Sequence, residues 1–404
     1  MRFSLSALFC IAAILALGFA LQVGASQRTK AVVAISVSIV LCYFSITVVR
    51  ASLVLPGVRE DIIRHYFILL LISFTLVSLV LVQVRHDPID VIEFQIESVQ
   101  TLLRGSNPYA ANVTHQDLCY EHQELCHGAQ FYGQGISTNG RVHVGFPYPP
   151  LALIWVIPGY WLGDIRYSWL LAIDLATLLI FFTSPNLIGL LAAVLLLSGS
   201  GSTYILSHGY TDPLMLLGLA FTVFVAQKSP RVLPFVLGLF LASKQYSILA
   251  LPLVALLLPR FSWNAYFSIV AKACAVVAIL TLPFLIMDPK GFWWSLVSFQ
   301  VLAPIRPDAL SFSGLLIEHG FRAIPQWFVG LVTVAGTGLA LWKAPRTPSA
   351  FAISLALVSI LFFVLNKQAF VNYYFFCFGA LCVGLAASAH DFSREFALVP
   401  VLSE

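Results

Sequence analysis

Carboxylates are scarce enough in this chain to be weighed one at a time. Asp87, Asp90 and Glu93 lie close together, directly after an apolar stretch at 66–84. If a helix follows, Asp90 and Glu93 share one of its faces. One carboxylate there could take the proton from an acceptor hydroxyl, and a pair could hold a divalent ion. A solvated, charged cap on an interfacial helix would use the same residues. The matching cation is Lys244, in Ser243-Lys244-Gln245-Tyr246 between apolar runs, where it needs a counter-anion or a wet cavity. A phosphate or diphosphate suits it; a snorkelling lysine or an ion pair with Asp212 would also account for it. His208, in His208-Gly209-Tyr210-Thr211-Asp212, could donate hydrogen bonds to a phosphate or hydroxyl. Arg306 with Asp308, Asn366-Lys367-Gln368 and Asn372-Tyr373-Tyr374 complete the polar clusters.

The elements that must position these groups are set by composition. Of 404 residues, 59% are hydrophobic and 10% charged, against about 25% charged in an ordinary globular domain. So few charges cannot cover a water-facing surface of this size. A soluble enzyme, a disordered chain and a coiled coil are excluded, and a net charge of +4, scattered along the chain, points to no nucleic-acid partner. The expected fold is an all-α polytopic membrane protein with about 11–13 transmembrane or re-entrant helices and one large structured loop. Strong spans are 3–24, 31–49, 66–84, 324–342, 348–365 and 371–389. Shorter or broken ones are 149–162, 168–183, 186–206, 212–227, 232–258 and 273–287. The first apolar run is long for a cleaved signal and reads as a retained helix.

Arg50, Arg59, Arg64, Lys228, Arg231, Arg260, Lys343 and Arg346 mark the cytoplasmic loops by the positive-inside rule, although Arg28 and Lys30 fall on the other side. The segment from 85 to 148 then lies outside, and the molecule divides into N-terminal helices 1–84, this loop, a core of short broken helices 149–287, a second outer loop 288–323 and C-terminal helices 324–404. Crossing parity requires 232–258 to be two short helices broken at Ser243–Tyr246, with Lys244 at the apex. It makes 186–206 a hairpin broken near Gly199-Ser200-Gly201-Ser202. Broken backbone at membrane depth belongs beside a cavity.

Within the outer loop, Val91, Phe94, Val99, Leu102 and Leu103 predict an amphipathic helix over 90–103, ended by Gly105 and followed by a turn at Asn107-Pro108-Tyr109. Phe146-Pro147-Tyr148-Pro149-Pro150-Leu151 re-enters the membrane. Cys119 and Cys126 are expected to form a disulfide in an oxidising compartment. The rival is a metal site with His115, His122 and His127, whose spacing matches no tight zinc pattern. Asn112-Val113-Thr114 is a glycosylation sequon.

Asp90, the run Leu102-Leu103-Arg104-Gly105-Ser106-Asn107-Pro108-Tyr109 and the Phe146–Leu151 re-entry together resemble the C superfamily of glycosyltransferases (GT-C). They are most similar to the polyprenol-phosphate-mannose-dependent enzymes of family 87 and their relatives. His208–Asp212 and Ser243–Tyr246 resemble later segments of that group, with Tyr210 and the absence of a proline after Lys244 as departures. So do Asn366–Phe370 and Asn372–Tyr374. The resemblance implies a membrane hexosyltransferase, a mannosyltransferase first of all, working at the extracytoplasmic face of the plasma membrane. Its partners would be a polyprenyl-phosphate-linked sugar donor, a lipid or glycan acceptor and membrane lipid. Asp90, or Asp87, would be the catalytic base. Lys244, Arg306, His208, Tyr148, Glu93, Asp212 and Lys367 would bind donor phosphate or substrate. A divalent metal is compatible with this scheme but not required. The competing class is a polytopic transporter or flippase, whose usual inverted repeat is not visible here.

Overall fold

The computed structural model describes residues 60–83, 89–110, 112–117, 132, 136–198 and 200–398, the side chains of 200 and 390–398 excepted. The expected spans at 3–24 and 31–49, Asp87, and the Cys119–Cys126 pair lie outside the described residues. The rest is a helical bundle. Helix α1 (Glu60–Gln83) begins with Glu60 and Asp61, whose charges suit its positive N-terminal dipole. It packs against α4 (Arg166–Thr183), where Phe67 stacks on Phe181 with centroids 3.9 Å apart. Between them in sequence come α2 (Asp90–Leu103) and α3 (Pro150–Trp161), the latter opened by a proline at its first turn, where no amide partner is lost. Then follow α5 (Leu187–Ser198), α6 (Ser200–Ser207) and α7 (Asp212–Lys228).

After α8 (Leu233–Leu241) the chain breaks at Ala242–Lys244, with Lys244 extended, and resumes as a mixed 3-10 and α segment, Gln245–Leu257. Ser243 and Ser247 hydroxyls return to the carbonyls of Phe240 and Leu241 at 2.6 and 3.0 Å, satisfying acceptors that the break frees. The break therefore overlaps the polar tetrapeptide Ser243–Tyr246 at Ser243 and Lys244. Helices α9 (Trp263–Met287), α10 (Phe312–Glu318), α11 (Gln326–Lys343), α12 (Pro348–Leu365) and α13 (Val371–Leu398) complete the set.

Among the described residues five helices are long and apolar enough to cross a bilayer: Glu60–Gln83, Arg166–Thr183, Trp263–Met287, Pro348–Leu365 and Val371–Ala389. Leu187–Ser198 with Gly201–Ser207 makes a sixth if the bent pair is one span. The protein is thus a multi-pass, all-α membrane protein. The expected hairpin at 186–206 is corrected: the two pieces meet at a bend of 48° rather than a reversal. The Ser202 hydroxyl donates to the Leu196 carbonyl at 2.6 Å, which staples the pieces across the break and keeps the chain running on.

The loop between α2 and α3 carries a three-stranded antiparallel sheet, β1 (His115–Gln116), β2 (Ser137–Thr138) and β3 (Arg141–Val142), in the order β1-β3-β2. Asn139 (φ 51°) and Gly140 (φ 75°) join β2 to β3, the two positive φ angles that a tight hairpin demands. Phe94, Ile136, Val142, Val144 and Phe299 form a small core under this sheet, separate from the main one, with Tyr132 and Trp294 packed on it.

Candidate functional site

A cavity of about 480 Å³ opens among the N-terminus of α2, the end of α6, the 242–244 break, the 299–310 segment and the start of α13. Five of the residues expected to act as base or to bind donor or substrate line it, Asp90, Tyr148, His208, Lys244 and Arg306, and so do Tyr210, Asp308, Gln368, Asn372 and Tyr373 of the same polar clusters. Three others do not. Glu93 lies a turn along α2, where burial first and Glu97 second raise its carboxyl above the ordinary range, with His115 opposing. Asp212 is buried behind the lining. Lys367 spends its ammonium on the carbonyls of Val301 and Ala303, at 2.8 and 2.7 Å, and burial lowers its basicity. It closes the end of a short helix, Phe299–Leu302, below the cavity.

Asp90 is the first residue of α2, and Ile89 before it has no side-chain cap to offer. Asp90 therefore caps the helix itself, its Oδ1 accepting the Val91 amide at 2.8 Å. Its Oδ2 accepts the Tyr132 hydroxyl at 2.9 Å. Burial, and then the neighbouring Asp90 charge, push the Tyr132 phenol well above its usual range, so it stays a donor. Helix α2 is fixed to the far wall where the Gln95 amide donates to the Gly209 carbonyl at 2.8 Å. Gly209 has φ 60°, and a Cβ there would meet Ile92 of α2 at 2.8 Å. Beyond it Tyr204, His208 and Tyr210 stack in sequence, with His208 ring centroids 4.1 and 6.1 Å from its neighbours. His208 Nδ1 is 2.9 Å from both the Tyr204 carbonyl and the Ser207 hydroxyl.

Tyr148 reaches the cavity because the turn at Asn107-Pro108-Tyr109 clamps its segment. Asn107 Oδ1 accepts the Tyr109 amide at 3.0 Å, the Pro108 carbonyl accepts the Phe146 amide at 2.8 Å, and the Tyr109 hydroxyl donates to the Tyr148 carbonyl at 2.6 Å. Gly145 is pressed into this clamp; a Cβ on it would lie 2.6 Å from the Pro108 carbonyl oxygen. On the other side, the Pro147 carbonyl accepts Gln245 Nε2 at 2.6 Å. The resemblance motifs therefore act here mostly through backbone, holding the turn after α2, the helix that carries Asp90, against the segment that carries Tyr148.

The cations are placed very differently. Lys244 Nζ is 2.6 Å from Asp212 Oδ2, and the same carboxylate accepts from the Tyr246 hydroxyl and from Asn372 Nδ2 at 2.8 Å. The rings of Tyr148, Tyr246 and Tyr373 surround the ammonium at 5.6, 5.2 and 5.4 Å. Of the alternatives the sequence leaves open for Lys244, the structure shows the ion pair with Asp212, at the edge of the cavity. Arg306 forks onto Asp308, with Nε 2.8 Å from Oδ1 and Nη2 on Oδ2, and its guanidinium stacks on Phe370 at 4.5 Å. Both Arg306 and Asp308 line the cavity.

Sequence reasoning missed Tyr132, which stands in a polar stretch with no periodicity to mark it. It also passed over Gln300 in the lining. Among the described residues no group of three or more His, Cys, Asp and Glu is arranged to hold a metal ion.

No known family model matches the sequence, and no curated protein matches it. The fold is similar to that of ArnT from Cupriavidus metallidurans bound to undecaprenyl phosphate: 18% identity over 81% of this chain and 59% of that one, with a TM-score of 0.51. For the apo form of the same protein the values are 17%, 83%, 62% and 0.51. The chain thus spans 59–62% of the length of the structures it resembles. What the likeness shows is a shared polytopic helical fold.

Proposed function

We propose that this chain is a membrane glycosyltransferase that moves a sugar from a polyprenyl-phosphate carrier to a hydroxyl of a lipid or glycan acceptor. The reading is carried by one observation: a single cavity, bordered by membrane helices, presents the Asp90 carboxylate and the Arg306 guanidinium together. A lipid-linked donor explains why a polar site should sit among apolar helices. The likeness in fold to ArnT, solved with undecaprenyl phosphate, supports the donor class.

In this scheme the acceptor hydroxyl gives its proton to Asp90 while its oxygen bonds to the anomeric carbon. The bond from that carbon to the phosphate oxygen breaks, and its electron pair leaves with the polyprenyl phosphate. The departing charge needs electrostatic stabilisation rather than covalent help. Arg306 supplies it, oriented by Asp308. Lys244, paired with Asp212, contributes by holding Tyr148 and Tyr373 at the wall, and His208 and Tyr210 offer polar edges to sugar hydroxyls. The scheme uses no metal ion. Mannose is the first sugar to test, after the motif resemblance, followed by glucose, arabinose and galactose. We assign the cavity to the extracytoplasmic face of the plasma membrane, a reading the positive-inside rule supports: Lys228 ends α7 and Arg231 follows it, at the opposite end from Asp212.

The test is to incubate purified protein with radiolabelled polyprenyl-phosphate sugars and candidate lipid acceptors. Label should move from at least one donor, and Asp90→Asn should stop it. Absence of transfer from every donor, or undiminished transfer in both Asp87→Asn and Asp90→Asn, ends this reading.

A further inference from the structure

Asp90 and Arg306 are opposite charges lining one cavity, and nothing about their chemistry keeps them apart. A carboxylate and a guanidinium free to meet form a bidentate pair. That pair would remove both groups from the reaction assigned to them: the base would lose its free lone pairs and the phosphate site its charge. Each is instead occupied by another partner. Arg306 is forked by Asp308. Asp90 is held on one oxygen by its own helix and on the other by Tyr132.

Tyr132 is unusually well supported for a loop residue. Its ring packs edge-on against Phe94 of α2, with centroids 6.5 Å apart, and lies tilted by 31° against Phe299 at 6.2 Å, on the segment leading to Arg306. Phe94 and Phe299 belong to the small core that also takes Ile136, Val142 and Val144 from the sheet. The three-stranded sheet and its core thus serve as a mount that brings one phenol between α2 and the arginine loop. The charges of both Asp90 and Arg306 act on that phenol, in opposite senses.

We infer that Tyr132 is a positioning residue that keeps Asp90 from closing onto Arg306, so that the base and the phosphate-binding cation stay separately available. The inference rests on the transferase reading for the names of the two roles, but its geometry can be tested without turnover. Removing the hydroxyl in Tyr132→Phe leaves the ring packing intact and frees Oδ2. Asp90 should then compete for Arg306, and undecaprenyl phosphate, the probe, should bind about 10-fold more weakly, on the scale of one hydrogen bond to a charged group. The distinguishing measurement is a double-mutant cycle. In an Asp90→Asn background there is no carboxylate to compete, so Tyr132→Phe should no longer weaken undecaprenyl-phosphate binding. Equal weakening in both backgrounds, or none in either, overturns the inference, as does a wild-type chain that does not bind undecaprenyl phosphate. If the cycle couples as expected while no sugar donor is turned over, the positioning role stands and the transferase reading falls. Where transfer is measurable, Tyr132→Phe should also lower kcat more than it raises the acceptor KM. A merely structural defect would instead appear as lower thermal stability, with the coupling absent.

Discussion

Two acid–base pairs at this site each join an aspartate to a basic side chain and come to opposite ends. Asp212 and Lys244 are 0% and 3% exposed and are consumed by each other, with Tyr246 and Asn372 filling the remaining valences of the carboxylate. Arg306 and Asp308 keep side-chain exposures of 16% and 45% and face the cavity, as Asp90 does. A buried pair trades Coulomb energy against desolvation and ends as architecture. A pair at a wet rim keeps directions in which a ligand can still bond. The lesson is that a lysine in an apolar run has to be located before it can be given a ligand.

The largest effect that could break this contrast comes from Lys244→Met. It strands a buried carboxylate, so stability should fall by about 3–5 kcal/mol, read as a lower Tm of the purified protein. Asp212→Asn combined with Lys244→Met should recover part of the loss, since neither charge is then left buried alone. If Lys244→Met keeps its Tm but no longer binds polyprenyl phosphate, the two regions have been assigned the wrong way round.

Asp90→Asn is the mirror experiment. Transfer should drop by about 10²–10⁴-fold, the range for loss of a general base, with little change in Tm. Next in size is Gly145→Ala, whose methyl would press on the Pro108 carbonyl oxygen and the Ser295 hydroxyl at 2.6 and 2.7 Å. Overpacking of this kind costs about 1–3 kcal/mol and should lower Tm and activity together, because the clamp holds the rim rather than touching substrate.

The smallest effect is in the pH dependence of stability. Glu93 has its carboxyl raised in the folded protein, chiefly by burial. A raised acid favours the folded state while it is protonated, below its unfolded range, and that contribution is lost as pH rises through the folded value. Glu93→Gln removes the loss, so the Tm advantage of the variant should widen as pH is raised from the acid side. The change should stay under about 1 kcal/mol because the group is half solvated. A gap that narrows with rising pH contradicts the burial account.

Features with a local signature could be read from the sequence. The apolar spacing in 90–103 marks α2, and crossing parity with one polar tetrapeptide locates the break at Ala242–Lys244. Asn139-Gly140 also carries a hairpin signal, but strands of two residues are too short for any alternation to confirm it. The bend within 186–206 depends on one serine hydroxyl finding a carbonyl, which composition does not encode. What was illegible is pairing over distance. Tyr132 meets Asp90 across 42 residues, and Asn372 meets Asp212 across 160. No periodicity links such residues; only the packed bundle does. Hence five of the site candidates could be brought to one cavity while Lys367 and Glu93 were drawn elsewhere by neighbours that sequence could not rank.

The ion pair between α7 and the 242–244 break also has a consequence in time. Asp212 and Lys244 are only 32 residues apart, whereas Asn372 follows Asp212 by 160. At about 5–20 residues per second of synthesis, the carboxylate waits roughly 2–6 s for its ammonium and roughly 8–32 s for its amide. An aspartate buried at the start of an apolar helix is costly until it finds a partner. The short spacing therefore lets the start of α7 and the break after α8 meet as a neutralised pair early in synthesis. The last helix arrives later as a latch on a pair already formed.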